Sequence, residues 1–382
     1  MWLTLAANKI LEDRVNDQDS PADSETSVEI QNFTLFVSSW NVGGITPPVD
    51  LNMEDLLHTQ SNLADIYVLG FQEIVPLNAG NIIVTENSSI SMQWNSLIRA
   101  ALNKTDIGHQ KAEVGESQKV YPLKRENNSP HFECIISKQM VGIFITIWAR
   151  IPLLPYIRHT SVSSVGCGIF GCLGNKGSVS IRFCLHETSF CFVCCHLASG
   201  GKEGDKRERN SNASQIQSRT RFPSDPFHRL PSKILRHEVI WLGDLNYRIY
   251  LPEPTTRSLV NDRQWSTLLQ NDQLKAELRE GCTFEGWNEE EIEFPPTYKY
   301  NLDSDDYYGC NDQNGKRAKS RTPAWCDRII WFGKGLKQRQ YNRSECKLSD
   351  HRPVRAIFTV EVKVQCQSTE ASENFAKIFH NL

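Results

Sequence analysis

The chain lacks most features that assign a class at sight. Among its 382 residues only 4 are methionine, and a formal net charge of −3 leaves neither sign dominant. Such balance argues against a general nucleic-acid coat-binder. Long hydrophobic runs are missing too: the longest, Val141–Ala149, spans about nine residues where a membrane helix needs about twenty. The start, MWLTLAANKILEDRV, carries no basic n-region and too short an apolar stretch for a secretory signal. Trp2 stands where myristoylation needs glycine, and no prenylation box is seen, so membrane contact is expected to be peripheral. No internal repeat and no linker divides the chain.

Three catalytic or metal motifs are also missing. Cys191 and Cys194 form a CxxC, but no second CxxC or nearby His pair completes a zinc site among the twelve cysteines. Cys184, Cys191 and Cys195 sit in apolar, strand-like runs, where thiols act as small hydrophobes, so reduced thiols in a reducing compartment are expected. The glycine-rich stretch Val165–Ser178 fails the phosphate-loop spacing because Gly177 follows Lys176. Cys346 has Arg352 at the cysteine-phosphatase spacing, but KLSDH between them contains no glycine to let backbone N–H groups converge on an anion. Attack by water is favoured over attack by cysteine.

What is present is local charge and a set of buried strands that end on polar residues. Residues 201–237 carry nine bases and four acids; residues 282–312 hold nine acids and one base, and residues 313–343 answer with nine bases and one acid. Basic stretches in a neutral chain suit a compact polyanion or an anionic membrane face, or are solvated loop charge. Phe33–Trp40 reads as a strand delivering Asn41, Ile66–Phe71 as one delivering Gln72 and Glu73, and Phe190–Cys195 as one delivering His196. Val239–Leu242 breaks at Gly243 and presents Asp244 and Asn246; alone, this is as readily a plain strand-to-turn junction. Further strands are expected over Gln139–Arg150, Gly177–Leu185, Asp327–Phe332 and Val354–Val364. Helices are expected over Leu51–Leu63, Ser91–Leu102 and Asp262–Glu280, with a long, mobile basic connection over 201–230. This pattern predicts a layered α/β sandwich, with an acidic extension over 1–31, one domain over 32–364 and a tail over 365–382.

Five strings occur in order: SSWNVGG (Ser38–Gly44), GFQEIV (Gly70–Val75), VIWLGDLNYRI (Val239–Ile249), PAWCDRIIW (Pro323–Trp331) and SDHRPV (Ser349–Val354). Together they resemble the inositol polyphosphate 5-phosphatases, and the text between them looks most like the plant type I branch. The resemblance covers roughly 33–362 and implies a DNase I-like, four-layer α/β sandwich of two packed mixed sheets flanked by helices. It implies Mg²⁺ held by Glu73 with Asn41, and Asp244 orienting and deprotonating the attacking water beside Asn246. His196 and His351 would face the phosphate, with Asp350 or Asp327 holding His351. A neighbouring ring phosphate would be clamped by Tyr298 and Lys299 of PPTYKY and by Lys319 and Arg321 before PAWCDR; a dianion suits such fixed cations and a phenol donor. Arg328 would join the clamp or pair with Asp327, and Lys176 of GNKGS also matches a family motif. Cys195 departs from the family's usual serine, which puts a hydroxyl hydrogen bond near the site in doubt.

The implied activity is Mg-dependent removal of the 5-phosphate from phosphatidylinositol 4,5-bisphosphate, the 3,4,5-trisphosphate or soluble inositol 1,4,5-trisphosphate, acting in phosphoinositide signalling. Alternatives are a non-catalytic phosphoinositide-binding module and a DNase I-like nuclease, the latter leaving the clamp residues without a purpose. Peripheral contact with an anionic membrane, no nucleic acid and no obligate protein partner are expected. The expected location is cytoplasmic, at plasma membrane or endomembranes, with the nucleus open.

Overall fold

The computed structural model describes residues 28–59, 63–83, 88–104, 131–202, 204–224, 230–280, 283–309 and 321–365. Ile30–Lys363 forms a compact unit. Its strands are β1 (Val28–Asn41), β2 (Ile66–Gln72), β3 (Phe132–Met140), β4 (Ile143–Arg150), β5 (Ile157–Gly166) and β6 (Gly177–Leu185). They continue with β7 (Thr188–His196), β8 (Glu238–Asp244), β9 (Asp327–Phe332), β10 (Leu336–Arg343) and β11 (Val354–Gln365). The helices are α1 (Glu54–Leu57), α2 (Ala79–Ile83), α3 (Ser89–Leu102), α4 (Asp205–Arg219), α5 (Glu253–Asn261), α6 (Trp265–Gln270) and α7 (Gln273–Glu280).

Six strands form one mixed sheet, in the order β10-β11-β1-β2-β4-β3, and five form the other, β5-β6-β7-β8-β9. The central strands β2 and β8 are buried on both faces, which is why they read as continuous apolar runs rather than alternating ones. The sheets meet closely at Gly70, where an added Cβ would stand 2.7 Å from Leu242 Cδ1 and 2.8 Å from Cys194 Sγ. A glycine and a cysteine are therefore what this gap admits. On the far face of the second sheet, Cys195, Trp241 and Val193 pack with Ala213 and Ile216 of α4 and Leu274 of α7. On the far face of the first, Trp40, Phe71 and Trp148 pack with Trp94 and Ile98 of α3. Helix, sheet, sheet and helix make four layers, as the resemblance implies.

Four local readings differ. Gln139–Arg150 is not one strand but the β3–β4 hairpin, turned at Val141 (φ 53) and Gly142. Val-Gly is not the Asn-Gly pair that marks such turns, so the sequence carries no turn signal there. Part of the basic connection is α4, whose inward face is Arg209, Asn212, Ala213 and Ile216; a helix that buries an arginine and an asparagine shows no apolar period. Asp262–Glu280 breaks into α6 and α7 at Asn271–Asp272. Only Glu54–Leu57 of Leu51–Leu63 is helical among the described residues. Strands β5 and β10 carry mixed polar and apolar residues and were not anticipated.

Arg328 is the principal correction. It neither joins the cleft nor pairs with Asp327: its side chain is 0% exposed and bonds Asp272 at 2.9 Å and Glu289 at 2.5 Å, with Lys275 also on Glu289 at 3.0 Å. Two buried carboxylates need this guanidinium, because ions removed from water are tolerated only when paired. Arg328→Met is expected to lower unfolding stability by about 3–5 kcal/mol. Denaturant titration checks this, and unchanged stability with lost ligand binding would return Arg328 to the cleft.

His237 gives the acid response. It is buried with Ser189 Oγ 2.8 Å from Nδ1, and burial followed by the Arg182 charge lowers its pKa to about 4. The unfolded chain therefore takes up a proton below about pH 6.5 that the folded chain refuses until about 4, so stability is full above 6.5 and is lost as pH falls. Between pH 7 and 4.5 the wild type should lose roughly 2–3 kcal/mol more than His237→Gln in urea unfolding. Equal losses would remove His237 from the acid response.

Candidate active site

The site forms where strand ends from both sheets converge. β1 and β2 run parallel with Asn41 beside Gln72, and β7 and β8 run parallel with His196 beside Asp244. Each strand is buried over its closing residues, so core burial fixes the strand and holds the terminal polar group rigidly. β9 brings Asp327 opposite Asp244, and SDHRP delivers Asp350 and His351 just before β11. Gly243 (φ +150) makes the junction possible, since a Cβ there would stand 2.1 Å from the Cys195 carbonyl oxygen.

Asn41, Glu73, Lys176, His196, Asp244, Asn246, Tyr298, Lys299, Arg321, Asp350 and His351 line one open cleft of ≈ 1000 Å³. Lys319 lies outside the described residues. At the floor, Asn41 Nδ2 donates to Asp244 Oδ2 at 2.9 Å and to Glu73 Oε1 at 3.3 Å. His196 Nε2 stands 3.3 Å from the same Asp244 oxygen and 3.7 Å from Glu73 Oε1, and the Lys176 amine reaches His196 Nε2. The Asn246 backbone N–H donates to Asp244 Oδ1 at 3.0 Å, and its Nδ2 donates to Leu197 O at 3.2 Å.

The partner of His351 is now assigned. Its Nδ1 lies 2.9 Å from Asp327 Oδ2, which also accepts from Thr297 Oγ1 at 2.7 Å. Asp350 instead pairs with Lys299 at 2.6 Å. Burial pushes the His351 pKa down, but the Asp327, Asp244 and Asp350 carboxylates more than reverse it, to about 9, so the ring is cationic at neutral pH. Burial pulls Asp244 up, yet the His196 hydrogen bond and the charges of His196, His351 and Lys176 hold it well below the ordinary carboxylate range. Burial lowers Lys176 against the pull of Asp244 and Glu73.

Arg248 was missed. It lines the cleft, donates to Asn246 Oδ1 at 2.6 Å, and lies 4.6 Å over the Tyr298 ring, which itself stands 4.6 Å from the His351 ring. Its signal was in GDLNYR, two residues beyond Asn246. Cys195 leaves no gap in the site: strand alternation turns its sulfur away from the cleft to accept from Trp241 Nε1 at 2.9 Å.

The floor suits a divalent cation. The carboxylates of Glu73 and Asp244 converge on shared neighbours, and hard oxygen donors of this kind favour Mg²⁺ or Ca²⁺. Asp244, Asp327 and His351 also bring ligand atoms within 4.8 Å of one another. There, however, His351 Nδ1 and Asp327 Oδ2 are occupied by each other, whereas Glu73 opens to the cleft.

Residues 38–357 match the model of endonuclease/exonuclease/phosphatase family 2. The chain is 52% identical over 390 residues to the type IV inositol polyphosphate 5-phosphatase 9 of Arabidopsis thaliana, covering 95% of this chain and 92% of that one. It is 47% identical to the type I inositol polyphosphate 5-phosphatase 8 of the same plant, over 90% of this chain and 74% of that one. Among solved structures, the 5-phosphatase domain of SpSynaptojanin, in complex with inositol (1,4)-bisphosphate and a calcium ion, superposes with a TM-score of 0.72 at 30% identity, covering 96% of this chain and 92% of that one. Cimex nitrophorin shares the fold alone, with a TM-score of 0.60 at 20% identity, covering 87% of this chain and 99% of that one. With these motifs on these strand ends, the chain belongs to the metal-dependent endonuclease/exonuclease/phosphatase family and, within it, to the inositol polyphosphate 5-phosphatases.

Proposed function

We propose that this chain removes the 5-phosphate from an inositol ring that also carries a 4-phosphate, with Mg²⁺ as the metal. Its substrates are phosphatidylinositol 4,5-bisphosphate, the 3,4,5-trisphosphate and soluble inositol 1,4,5-trisphosphate, and its role is to terminate or tune phosphoinositide signalling. One observation carries this reading: a carboxylate–imidazole floor and a Tyr298–Lys299–Arg321 wall share a single cleft. A nuclease has no use for that wall.

Glu73 and Asn41 would hold the cation, which neutralises phosphoryl charge and stabilises the leaving alkoxide. Asp244 is ionised and fixed by Asn41, His196 and the Asn246 N–H, so it aims a water in line. So depressed a carboxylate is a weak base, but in a loose phosphoryl-transfer transition state positioning matters more than early deprotonation. Cationic His351, held by Asp327, faces the charge that gathers on the phosphoryl oxygens, with His196 and Lys176 beside it. Tyr298, Lys299 and Arg321 take the vicinal phosphate.

Lipid substrate and peripheral attachment to plasma membrane or endomembranes, from the cytoplasmic side, rest on the loop Gly168–Gly174. Phe170 is 92% exposed at φ 59 and Ile169 is 48% exposed, and this loop adjoins Lys176 and Ser199 at the cleft margin. So exposed a ring is no part of the core, and an apolar tip beside a phosphate site suits a lipid surface.

Phosphate release should be measured with Mg²⁺ from dispersed phosphatidylinositol 4,5-bisphosphate, soluble inositol 1,4,5-trisphosphate and phosphatidylinositol 5-phosphate. Turnover is expected wherever a 4-phosphate is present and should drop at least about tenfold without it, as for loss of one charge-assisted contact pair. Silence on all three would sink the reading. In the same assay Phe170→Asp should depress lipid turnover several-fold and leave soluble turnover near wild type. Equal effects on both would detach the loop from the membrane.

A further inference from the structure

The helix α4, hidden in the basic stretch, does more than cover the sheet. Its Arg209 is 0% exposed, and among the described residues no carboxylate lies within ion-pair distance of it. Burial lowers its pKa, and its Nε has no hydrogen-bond partner. An unpaired buried guanidinium is expensive, and its packing against the Tyr247 ring, 5.6 Å from the centroid, offsets only part of that cost.

What the guanidinium touches explains its retention. Nη1 donates to the carbonyl oxygens of Gly200 at 3.0 Å and Ala198 at 3.4 Å, in the segment that follows His196. Nη2 donates to Gln273 Oε1 at 2.7 Å. That same oxygen accepts the Arg248 backbone N–H at 3.0 Å, while the Gln273 N–H donates to Arg248 O at 2.9 Å. Gln273 therefore grips both sides of Arg248, whose side chain holds Asn246 Oδ1. Two neighbours on α4 repeat the pattern: Asn212 Oδ1 accepts the Ala198 N–H at 3.0 Å, and Asn210 Oδ1 accepts from Tyr247 Oη at 2.7 Å. Asn246 Nδ2 closes the ring on Leu197 O.

We infer that Arg209 is a positioning residue for the reaction, a fork that locks the segment after β7 to the segment after β8 and so holds His196 against Asp244 and Asn246. A planar fork can join three acceptors in fixed directions, and a lysine cannot. The inference rests on the 5-phosphatase reading above. Neither Arg209 nor Gln273 lines the cleft or bonds Tyr298, Lys299 or Arg321, and Lys299 keeps its own partner Asp350, so the clamp cations are expected to stay in place when the fork is lost.

The test is steady-state turnover of soluble inositol 1,4,5-trisphosphate with Mg²⁺ by wild type, Arg209→Met, Arg209→Lys and Gln273→Met. Ile98→Ala, in the core of the opposite layer, serves as a destabilised control, and thermal melts report the folded fraction of each. Per folded molecule, kcat should fall about 10²-fold in Arg209→Met, as for small misplacements of reacting groups, while KM stays within about threefold. Arg209→Lys should fall between, Gln273→Met should lose kcat in the same direction, and Ile98→Ala should keep wild-type kcat. If Arg209→Met does not fold, Arg209→Lys and Gln273→Met decide the matter. Wild-type kcat in the folded variants, or a loss matched by Ile98→Ala, would overturn the inference alone. A silent wild type would overturn the functional reading with it.

Discussion

Like charge gathered at the floor of one cleft is the constraint on which the rest of this structure depends. Asp244 and Asp327 stand directly opposite across β8 and β9, an arrangement that repels, and Glu73 and Asp350 lie in the same cleft. Three of the four are held by different donor sets, and Glu73 shares Asn41 and His196 with Asp244. Asp244 takes Asn41, His196 and the Asn246 N–H; Asp327 takes His351 and Thr297; Asp350 takes Lys299. Because partners are dealt out this way, the carboxylates acquire different characters: Asp244 is strongly ionised, whereas burial and the Asp244 charge push Asp327 upward. A site with several carboxylates thus obtains separate functions from one residue type.

Holding that cluster requires rigid supports, and the two sheets supply them. Strands buried on both faces cannot slip by one residue without repacking every side chain into the opposite layer, so their terminal residues stay where they are. The close approach at Gly70, Leu242 and Cys194 brings the ends of β2 and β8 within reach of each other, which lets Asn41 of the first sheet bond Asp244 of the second. Fold alone does not carry the chemistry. The chemistry lies in which polar residues the strands deliver.

That division explains what could be read from the sequence. Strands that deliver Asn41, Glu73, His196 and Asp244 at or just past their ends were legible because a largely apolar run followed by a polar residue is a local pattern, and the structure brings all four together. Pairings between distant segments were not. Nothing local tells Asp327 from Asp350 as the partner of His351, or ties Arg328 to Asp272 and Glu289, because the partners lie far apart in the chain and meet only through sheet order. Helix α4 failed for a different reason. Its buried face is half polar, since Arg209 and Asn212 satisfy the carbonyls and amides of loops while Ala213 and Ile216 enter the core, and periodicity analysis cannot see such a face.

The cleft's cations follow the same logic as its anions. Lys299 is already paired with Asp350, and Arg248 already donates to Asn246 and lies over Tyr298. Cations held in place before a ligand arrives lose less rotamer freedom on binding than free surface lysines would. The arrangement also ties the two halves of the cleft together, because Asp350 adjoins His351 in the chain and Ser349 bonds both the Asn41 carbonyl and the His351 N–H. Lys299, His351 and Asn41 are thus linked through three consecutive residues, Ser349 to His351. A displacement of the clamp lysine would be felt at the floor through that short path, whereas the fork on α4 reaches the floor by a separate route, through the segments after β7 and β8.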